Sequence, residues 1–334
     1  MIICRAPVRI DFGGGGTDIE PYSSEHTGFV LNSAINRFVK TIVAKRDDKI
    51  IKIISSDFNS IIEKESINDL TYDSTLDLIK GLIKRMNPLK GIDLFTRSDI
   101  PTKSGLGASA SLSTSVIGAL NELEKKNLTE CEIAELGYGV EHDDLKNEGG
   151  RQDQYVSVFG GFNQIEFLGN SNVKVSKLTL KSSFLEHLNK NLILIYTGIP
   201  HISGNIISKQ VDSYNKKEQI AVESLHKVKE IAMNMKDSLL KEDYESFAKG
   251  LEKDWEYKTK LNPLITTDRM RALNNIALKN GAIGGRVCGA GGGGCMIWLC
   301  NEGKKDGVVS ALKKENAHEI KYEFNSKGYE VVDF

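Results

Sequence analysis

The sequence predicts an α+β fold in two lobes. Strand-like alternation and helix-like spacing both occur in each half of the chain. At 334 residues, the chain is long for a single core. Many of its 31 glycines fall in three clusters, Gly13 to Gly16, Gly105 with Gly107, and Gly289 to Gly294. Glycine concentrated in this way marks places where the backbone itself is wanted, for positive φ or close approach.

In the first half Val8, Ile10 and Phe12 alternate with polar residues as in a strand. Phe38 to Ala44, Ile50 to Ser55 and Ile92 to Thr96 read as further strands. After Pro101 the spacing of Leu112, Val116, Leu120 and Leu123 becomes helical. Thr129 and Glu132 form a capping box for a second helix through Ile133, Leu136 and Val140, and Phe159 to Phe167 returns to strand character. The boundary is expected in the polar stretch between Leu168 and Lys190, giving domains of residues 1–180 and 181–334. Beyond it Leu192 to Tyr196 is a buried strand, and Leu225, Val228, Ala232, Met235 and Leu239 line an amphipathic helix. Met270, Leu273 and Ile276 line another, stopped at Gly281. Cys295 to Cys300 is a strand, Val308 to Leu312 a helix, and Ile320 to Val332 a hairpin turning at Asn325 to Gly328.

Composition excludes several function classes. Lys plus Arg total 44 and Asp plus Glu 45, so there is no global field for nucleic acid or a membrane surface. Five cysteines without a C-x-x-C pair point to reduced thiols in a cytoplasm, not to a disulfide framework or a zinc site. The start, MIICRAPVRIDFGGGG, lacks the pattern of a signal peptide, and no segment approaches the ~18 apolar residues of a membrane helix.

The segment Pro101-Thr-Lys-Ser-Gly-Leu-Gly-Ala-Ser-Ala-Ser111 ends a loop and opens a long helix. A helix start offers unpaired N–H groups and the positive end of the macrodipole, and glycines let a polyphosphate approach the backbone. Pro101, Lys103, Ser104, Gly105, Leu106, Gly107, Ala108, Ser109 and Ala110 therefore form a candidate phosphate cradle. No G-x-x-x-x-G-K-[ST] occurs. Gly105, Gly107 and Ala110 do match G-x-G-x-x-A, which leaves a nicotinamide-dependent oxidoreductase as an alternative. The polar loop with Pro101 between that match and the strand ending near Thr96 speaks against it.

Arg9 and Asp11 share one face of the first strand, which runs into Gly13 to Gly16. Gly14, Gly15 and Gly16 with Thr17 and Asp18 read as a backbone-lined pocket whose carboxylate can bind hydroxyl groups. The glycine run containing Gly291 and Gly292 precedes a strand, where dinucleotide binding requires a helix. It is read either as a turn or as a loop closing over a bound ligand. Glu141 to Gln154 carries several acids and a Gly149-Gly150 break that places Asp153 on a loop. Phosphoryl transfer to a hydroxyl needs a carboxylate near that hydroxyl, metal ligands and cations; Glu141, Asp153 and Arg9 are available.

Together, RAPVRIDFGGGGTD, PTKSGLGASAS and GRVCGAGGGGCMIWL resemble, in order, the three motifs of the GHMP kinases. The resemblance implies a ribosomal-protein-like α/β N-terminal lobe, a ferredoxin-like C-terminal lobe, and the cofactors ATP and Mg2+. It implies Ser109 and Glu141 as magnesium ligands, Asp153 as catalytic base, Arg9 beside the transferred phosphoryl, and Asp18 as a contact to sugar hydroxyls. Gly14 to Thr17 replace the side chains that would contact galactose in galactokinases. With GGRQDQYVSVFGGFN and LILIYTG, the pattern is most similar to members that phosphorylate a heptose 7-phosphate at its anomeric hydroxyl, toward GDP-activated heptose. That implies a second basic site for the substrate phosphate, with Lys103, Arg97, Arg151, Arg269 and Arg286 as candidates.

Overall fold

A computed structural model describes residues 1–169, 172–201 and 204–333. Its strands are β1 (Ile2–Gly13), β2 (Gly28–Lys45), β3 (Ile51–Ser55), β4 (Ser60–Lys64), β5 (Ile92–Ser98), β6 (Phe162–Phe167), β7 (Val173–Lys177), β8 (Leu192–Tyr196), β9 (Ala282–Val287), β10 (Cys295–Cys300), β11 (His318–Glu319) and β12 (Glu330–Asp333). The helices are α1 (Tyr22–His26), α2 (Asp77–Met86), α3 (Ala108–Glu124), α4 (Glu130–Gly139), α5 (Gln152–Phe159), α6 (Ser182–Asn191), α7 (Gly204–Asn215), α8 (Gln219–Lys241), α9 (Tyr244–Leu261), α10 (Asp268–Lys279) and α11 (Lys305–Lys314). None of the described helices is long and apolar enough to cross a membrane.

The first sheet runs β12-β1-β2-β5-β3-β4, with β6 and β7 continuing from β2. The 18-residue β2 makes this possible: Val39–Lys45 pairs with β5, and Gly28–Ser33 pairs with β6 on the same side. Only β3 and β5 are parallel neighbours among the described pairs. A largely antiparallel sheet is not the doubly wound frame that an oxidoreductase fingerprint requires, and the glycines of residues 105–107 do not follow β5 directly. The second sheet, β11-β8-β10-β9, is antiparallel throughout.

A register shift between Pro7 and Arg9 inverts the alternation of β1. Ile2 and Cys4 enter the core against α3, whereas Val8, Ile10 and Phe12 enter the core shared with α8, α9 and the second sheet. Arg9 faces the glycine-rich loop before α3, and Asp11 faces Gly289 and Arg286. Arg9 and Asp11 are both buried, so this is no surface strand.

Three readings of the sequence change. Asp153 lies in the first turn of α5 instead of on a loop, and residues through Phe159 are helical; the strand begins at Phe162, after Gly160 and Gly161. This helix lies on α3 and α4 and buries Tyr155, Val156 and Val158. The polar stretch after Leu168 holds β7 and α6, with Asn170 and Ser171 outside the described residues. The tail is no hairpin: β11 pairs with β8, and β12 crosses to the first sheet to pair with β1.

That crossing depends on Gly160 (φ 65°, ψ −178°), a conformation restricted almost entirely to glycine. A Cβ there would lie 2.0 Å from the Lys327 carbonyl carbon. Gly160→Ala is expected to lower stability by at least about 1–3 kcal/mol through strain alone, measured as a shifted denaturant midpoint, with β12 losing amide protection first.

Candidate active site

The loop before α3 is shaped by left-handed backbone at Lys103 (φ 55°), Gly105 (φ 76°) and Gly107 (φ 73°). It is held by β1, where Arg9 N donates to Leu106 O at 3.0 Å, and by Ser111, whose hydroxyl donates to Pro7 O at 2.8 Å. From behind, Cys295 N donates to Ser104 O (2.8 Å) and His201 N to Lys103 O (2.8 Å). A Cβ at Gly289 would meet Gly105 O at 2.8 Å. The third glycine cluster thus braces the first-half loop at backbone distance. Gly291 and Gly292 turn away to Ile265, where Gly292 N donates to Ile265 O at 2.9 Å. Gly289 and Ala290 instead face the site.

The loop opens onto a cleft of about 690 Å³. Lys103, Ser104, Gly105, Gly107, Ala108 and Ser109 line it, while Leu106 and Ala110 are buried beneath and Pro101 lies outside the lining. One end is apolar, walled by Val39, Phe58, Leu76, Leu78 and Leu112. At the other end stands an Arg9–Asp153 pair: Nε to Oδ1 at 2.7 Å and Nη2 to Oδ2 at 2.8 Å, with Nη1 donating to Gly105 O at 2.6 Å. Burial works against the guanidinium's charge, but Asp153 and Asp11 outweigh it and raise the Arg9 pKa. Glu141 is pushed up to about 7 by burial, then by the Asp153 charge; its partners are the neutral Ser109 hydroxyl and Gln154 amide.

Beyond Arg9 and Asp153 lies a second cavity of about 80 Å³ that shares both residues with the cleft. Gly15, Gly16, Asp18, Gln152, Gln210 and Lys258 line it. Asp18 Oδ1 accepts from Gly16 N (2.9 Å) and Oδ2 from Gln152 N (3.2 Å). Burial raises its pKa despite these bonds. Gly150 packs so tightly that a Cβ there would overlap the Asp18 carboxylate at 1.8 Å. Thr17 does not face this cavity: its hydroxyl donates to Gly14 O and accepts from Phe29 N. Gly14 is likewise structural, donating its N–H to Asp254 Oδ1 at 2.9 Å.

Beneath the cavity Arg286 is fully buried between two carboxylates. Its Nη2 donates to Asp11 Oδ2 at 2.9 Å, and its Nη1 lies 2.8 Å from Asp254 Oδ2, approaching at too bent an angle for a hydrogen bond. Asp11 also accepts from Gly289 N at 2.8 Å. Burial would raise Asp11, but Arg286, Arg9 and Lys258 bring it below its ordinary pKa; for Asp254 burial prevails and the pKa rises. Lys258 donates to Gly289 O at 3.0 Å, and its pKa is lowered by burial and then by Arg286.

Of the five basic candidates, Lys103 alone lines a cavity here. Arg286 is consumed by Asp11 and Asp254, Arg269 donates to Thr197 O and Glu315 O, and Arg151 stacks over Tyr138. Arg97 is exposed and outside both linings. Sequence reasoning missed Asp254 and Lys258. Their signal was available: both occupy the buried stripe of α9 with Phe247, Leu251 and Leu261, where charged residues are out of place.

A glycine-rich loop at a helix start, a carboxylate–guanidinium pair and a small polar cavity beside them fit a small-molecule phosphotransferase on a two-sheet α+β frame. Residues 75–161 match the model of the GHMP kinases N terminal domain and residues 235–318 that of the GHMP kinases C terminal domain. The chain is 35% identical to the D-glycero-alpha-D-manno-heptose 7-phosphate kinase of Campylobacter jejuni, over 97% of this chain and 96% of that protein. It is 29% identical to the mevalonate kinase of Methanocaldococcus jannaschii, over 94% of this chain and 97% of that one. The crystal structure of a D-glycero-D-manno-heptose 1-phosphate kinase from Bacteriodes thetaiotaomicron superposes with a TM-score of 0.85 at 29% identity, covering 100% of this chain and 99% of that one. The chain belongs to the GHMP kinases. It is an ATP-dependent sugar kinase acting on a small-molecule acceptor.

Arg286→Met would leave two buried carboxylates without their shared cation. The expected cost is about 3–5 kcal/mol. Urea unfolding should show it, and the loss should shrink as pH falls and the orphaned carboxylates become protonated.

Proposed function

We propose that the chain transfers the γ-phosphoryl group of ATP to the anomeric hydroxyl of D-glycero-D-manno-heptose 7-phosphate. The product is the 1,7-bisphosphate, on the way to GDP-activated heptose for a surface polysaccharide. The observation that carries this reading is the Arg9–Asp153 pair at the junction of the large cleft and the small polar cavity. The full-length similarity to a heptose 7-phosphate kinase supports the choice of sugar. Reduced thiols and the need for ATP favour a cytoplasmic setting. Residues 1–180 supply the nucleotide side of the site and residues 181–334 close it from beneath.

The triphosphate lies along Lys103 to Ser109, where N–H groups and the start of α3 face it. The base occupies the apolar end of the cleft, against Phe58 and Leu76. The sugar's hydroxyls face Gly15, Gly16 and Asp18, which places the reacting hydroxyl at Asp153. As its oxygen bonds to the γ-phosphorus, Asp153 takes the proton, the bond to the bridging oxygen breaks, and ADP leaves. The guanidinium of Arg9 aims the Asp153 carboxylate and faces the transferring oxygens.

Ser109 and Glu141 fit a magnesium ion. Glu141 is an acid whose burial, with the nearby Asp153 charge, works against its ionisation, and its partners are neutral, so a divalent cation supplies the missing charge. Ser109 and Glu141 would be the protein groups that hold the ion; no cluster of three acidic, His or Cys side chains occurs among the described residues. When bound, magnesium neutralises the β- and γ-phosphate oxygens.

ADP release over a panel of heptose 7-phosphate, fucose, galactose and mevalonate should select the heptose phosphate. On it, Asp153→Asn should lower kcat by roughly 10²–10⁴-fold with little change in ATP binding; near-normal turnover would remove Asp153 from the proposed role.

The Glu141 pKa of about 7 sets a further expectation. Below that pH the carboxyl holds a proton that magnesium must displace. Apparent magnesium affinity should therefore fall as pH drops, approaching about tenfold per pH unit, and level off above pH 7. Magnesium titrations of activity at several pH values check this, and Glu141→Gln should flatten the dependence.

A further inference from the structure

The small cavity combines donors and acceptors in a way that selects for hydroxyl groups. Lys258 and Gln152 both line it and are more than nine-tenths buried. Lys258 Nζ has one hydrogen-bond acceptor, Gly289 O at 3.0 Å, and three protons to donate. Gln152 Oε1 is a buried acceptor without a partner. Such an atom costs about 1–3 kcal/mol unless something satisfies it. A Cβ added at Gly15 would stand 3.2 Å from Gln152 Nε2 and 3.3 Å from Lys258 Nζ. The missing side chain of Gly15 therefore leaves the Gln152 amide and the Lys258 ammonium bordering one space, with Asp11 Oδ2 equally near at 3.3 Å.

Charge decides which part of a sugar phosphate can enter. Arg9 is matched by Asp153, Arg286 by Asp11 and Asp254, and Lys258 sits in the field of Asp11, Asp254 and Asp18. Among the described residues the cavity and its floor thus hold three cations, Arg9, Arg286 and Lys258, against four aspartates, Asp11, Asp18, Asp153 and Asp254, that these cations already face or share. A phosphate dianion there would add two negative charges without an unmatched cation to meet them. A hydroxyl adds none: it can accept from Lys258 and donate to Gln152 or Asp18.

We infer that Lys258 and Gln152 are specificity-determining residues that hold hydroxyl groups of the sugar beside Asp18, and that the phosphate carried by the substrate stays outside this cavity. The inference rests on the sugar-phosphate reading of the site. It assigns Lys258 to the uncharged part of the substrate, although a buried lysine near a sugar-phosphate pocket would ordinarily be read as the phosphate ligand.

The test compares D-glycero-D-manno-heptose 7-phosphate with the same heptose lacking its phosphate, in wild type, Lys258→Met and Gln152→Met. Loss of a hydrogen bond to a charged group corresponds to roughly 10–100-fold in KM. Lys258→Met should raise KM by that amount for both sugars alike, and Gln152→Met should raise both by a smaller, equal factor. KM for ATP should stay within about twofold, which a general distortion of the site would not allow. A Lys258→Met penalty confined to the phosphorylated sugar would overturn the assignment, as would unchanged sugar KM values in Gln152→Met. Gln152→Met decides the matter if Lys258→Met does not fold. If wild type prefers another sugar, the same variants are measured on it; the substrate reading then fails in wild type, and the hydroxyl assignment stands or fails in the variants.

Discussion

Arg286 is a full charge with no exposed surface, and the protein keeps it there by surrounding it with Asp11 and Asp254. The three come from β9, β1 and α9, far apart in sequence. Such a cluster is poor value as stability, since an apolar core of equal volume would do as well or better. What it does provide is position. Asp11 ties to Gly289 N and Asp254 to Gly14 N, so the cluster fixes the first and third glycine segments against each other. The floor of the small cavity exists because this charge network cannot rearrange without exposing a buried ion.

On that floor, three segments are joined mostly through backbone. The phosphate loop leans on β1 through Leu106 and on the second sheet through Ser104, and Gly105 and Gly289 touch without side chains between them. Glycine is required on both sides, since either Cβ would approach the opposite carbonyl to within 3.0 Å. The loop's N–H groups are thereby aimed before any ligand arrives, which is the condition under which dipoles stabilise developing charge at least cost. Arg9 completes the connection by bonding to Gly105 O with one nitrogen and to Asp153 with two. Loop and carboxylate are consequently held at a fixed relation.

The elements that announce themselves by local chemistry were legible in the sequence. The Thr129–Glu132 box, the apolar stripe of α8 and the glycine-rich loop that opens α3 all follow from residues near each other in the chain. Failures arose where tertiary contact overrides local pattern. Phe159 reads as the start of a strand and Asp153 as a loop residue, yet both belong to α5, which is stabilised by packing on α3 and α4 and by Asp153 in its positive first turn. The tail has hairpin composition, but its last strand finds a better partner in the open edge of β1. Within the site, Arg9, Asp153, Ser109 and Glu141 could be named from motifs and do converge, whereas Thr17 and Gly14 turn inward to hold the loop. Arg286 was read as a candidate for the substrate phosphate because nothing local reveals that Asp11 and Asp254 will enclose it. Asp254 and Lys258 went unread since α9 was not recognised, although two charges on its buried face were the clue.

The resulting division of labour explains how one frame can serve several acceptors. The loop before α3 is built of glycines and small residues, and Gly105 and Gly107 tolerate little change without meeting Cys288 or Asp153. At the acceptor end the lining comes from separate places: the loop after β1, the start of α5, α7 through Gln210, and α9 through Lys258. A substitution in any of these alters which oxygens are met without touching the phosphate cradle. On the proposed reading, phosphoryl transfer depends on backbone geometry and acceptor choice on side chains. The arrangement has a structural limit as well: the acceptor pocket stands directly on the Arg286 cluster, so changes there must preserve the balance of charge in order to preserve the fold.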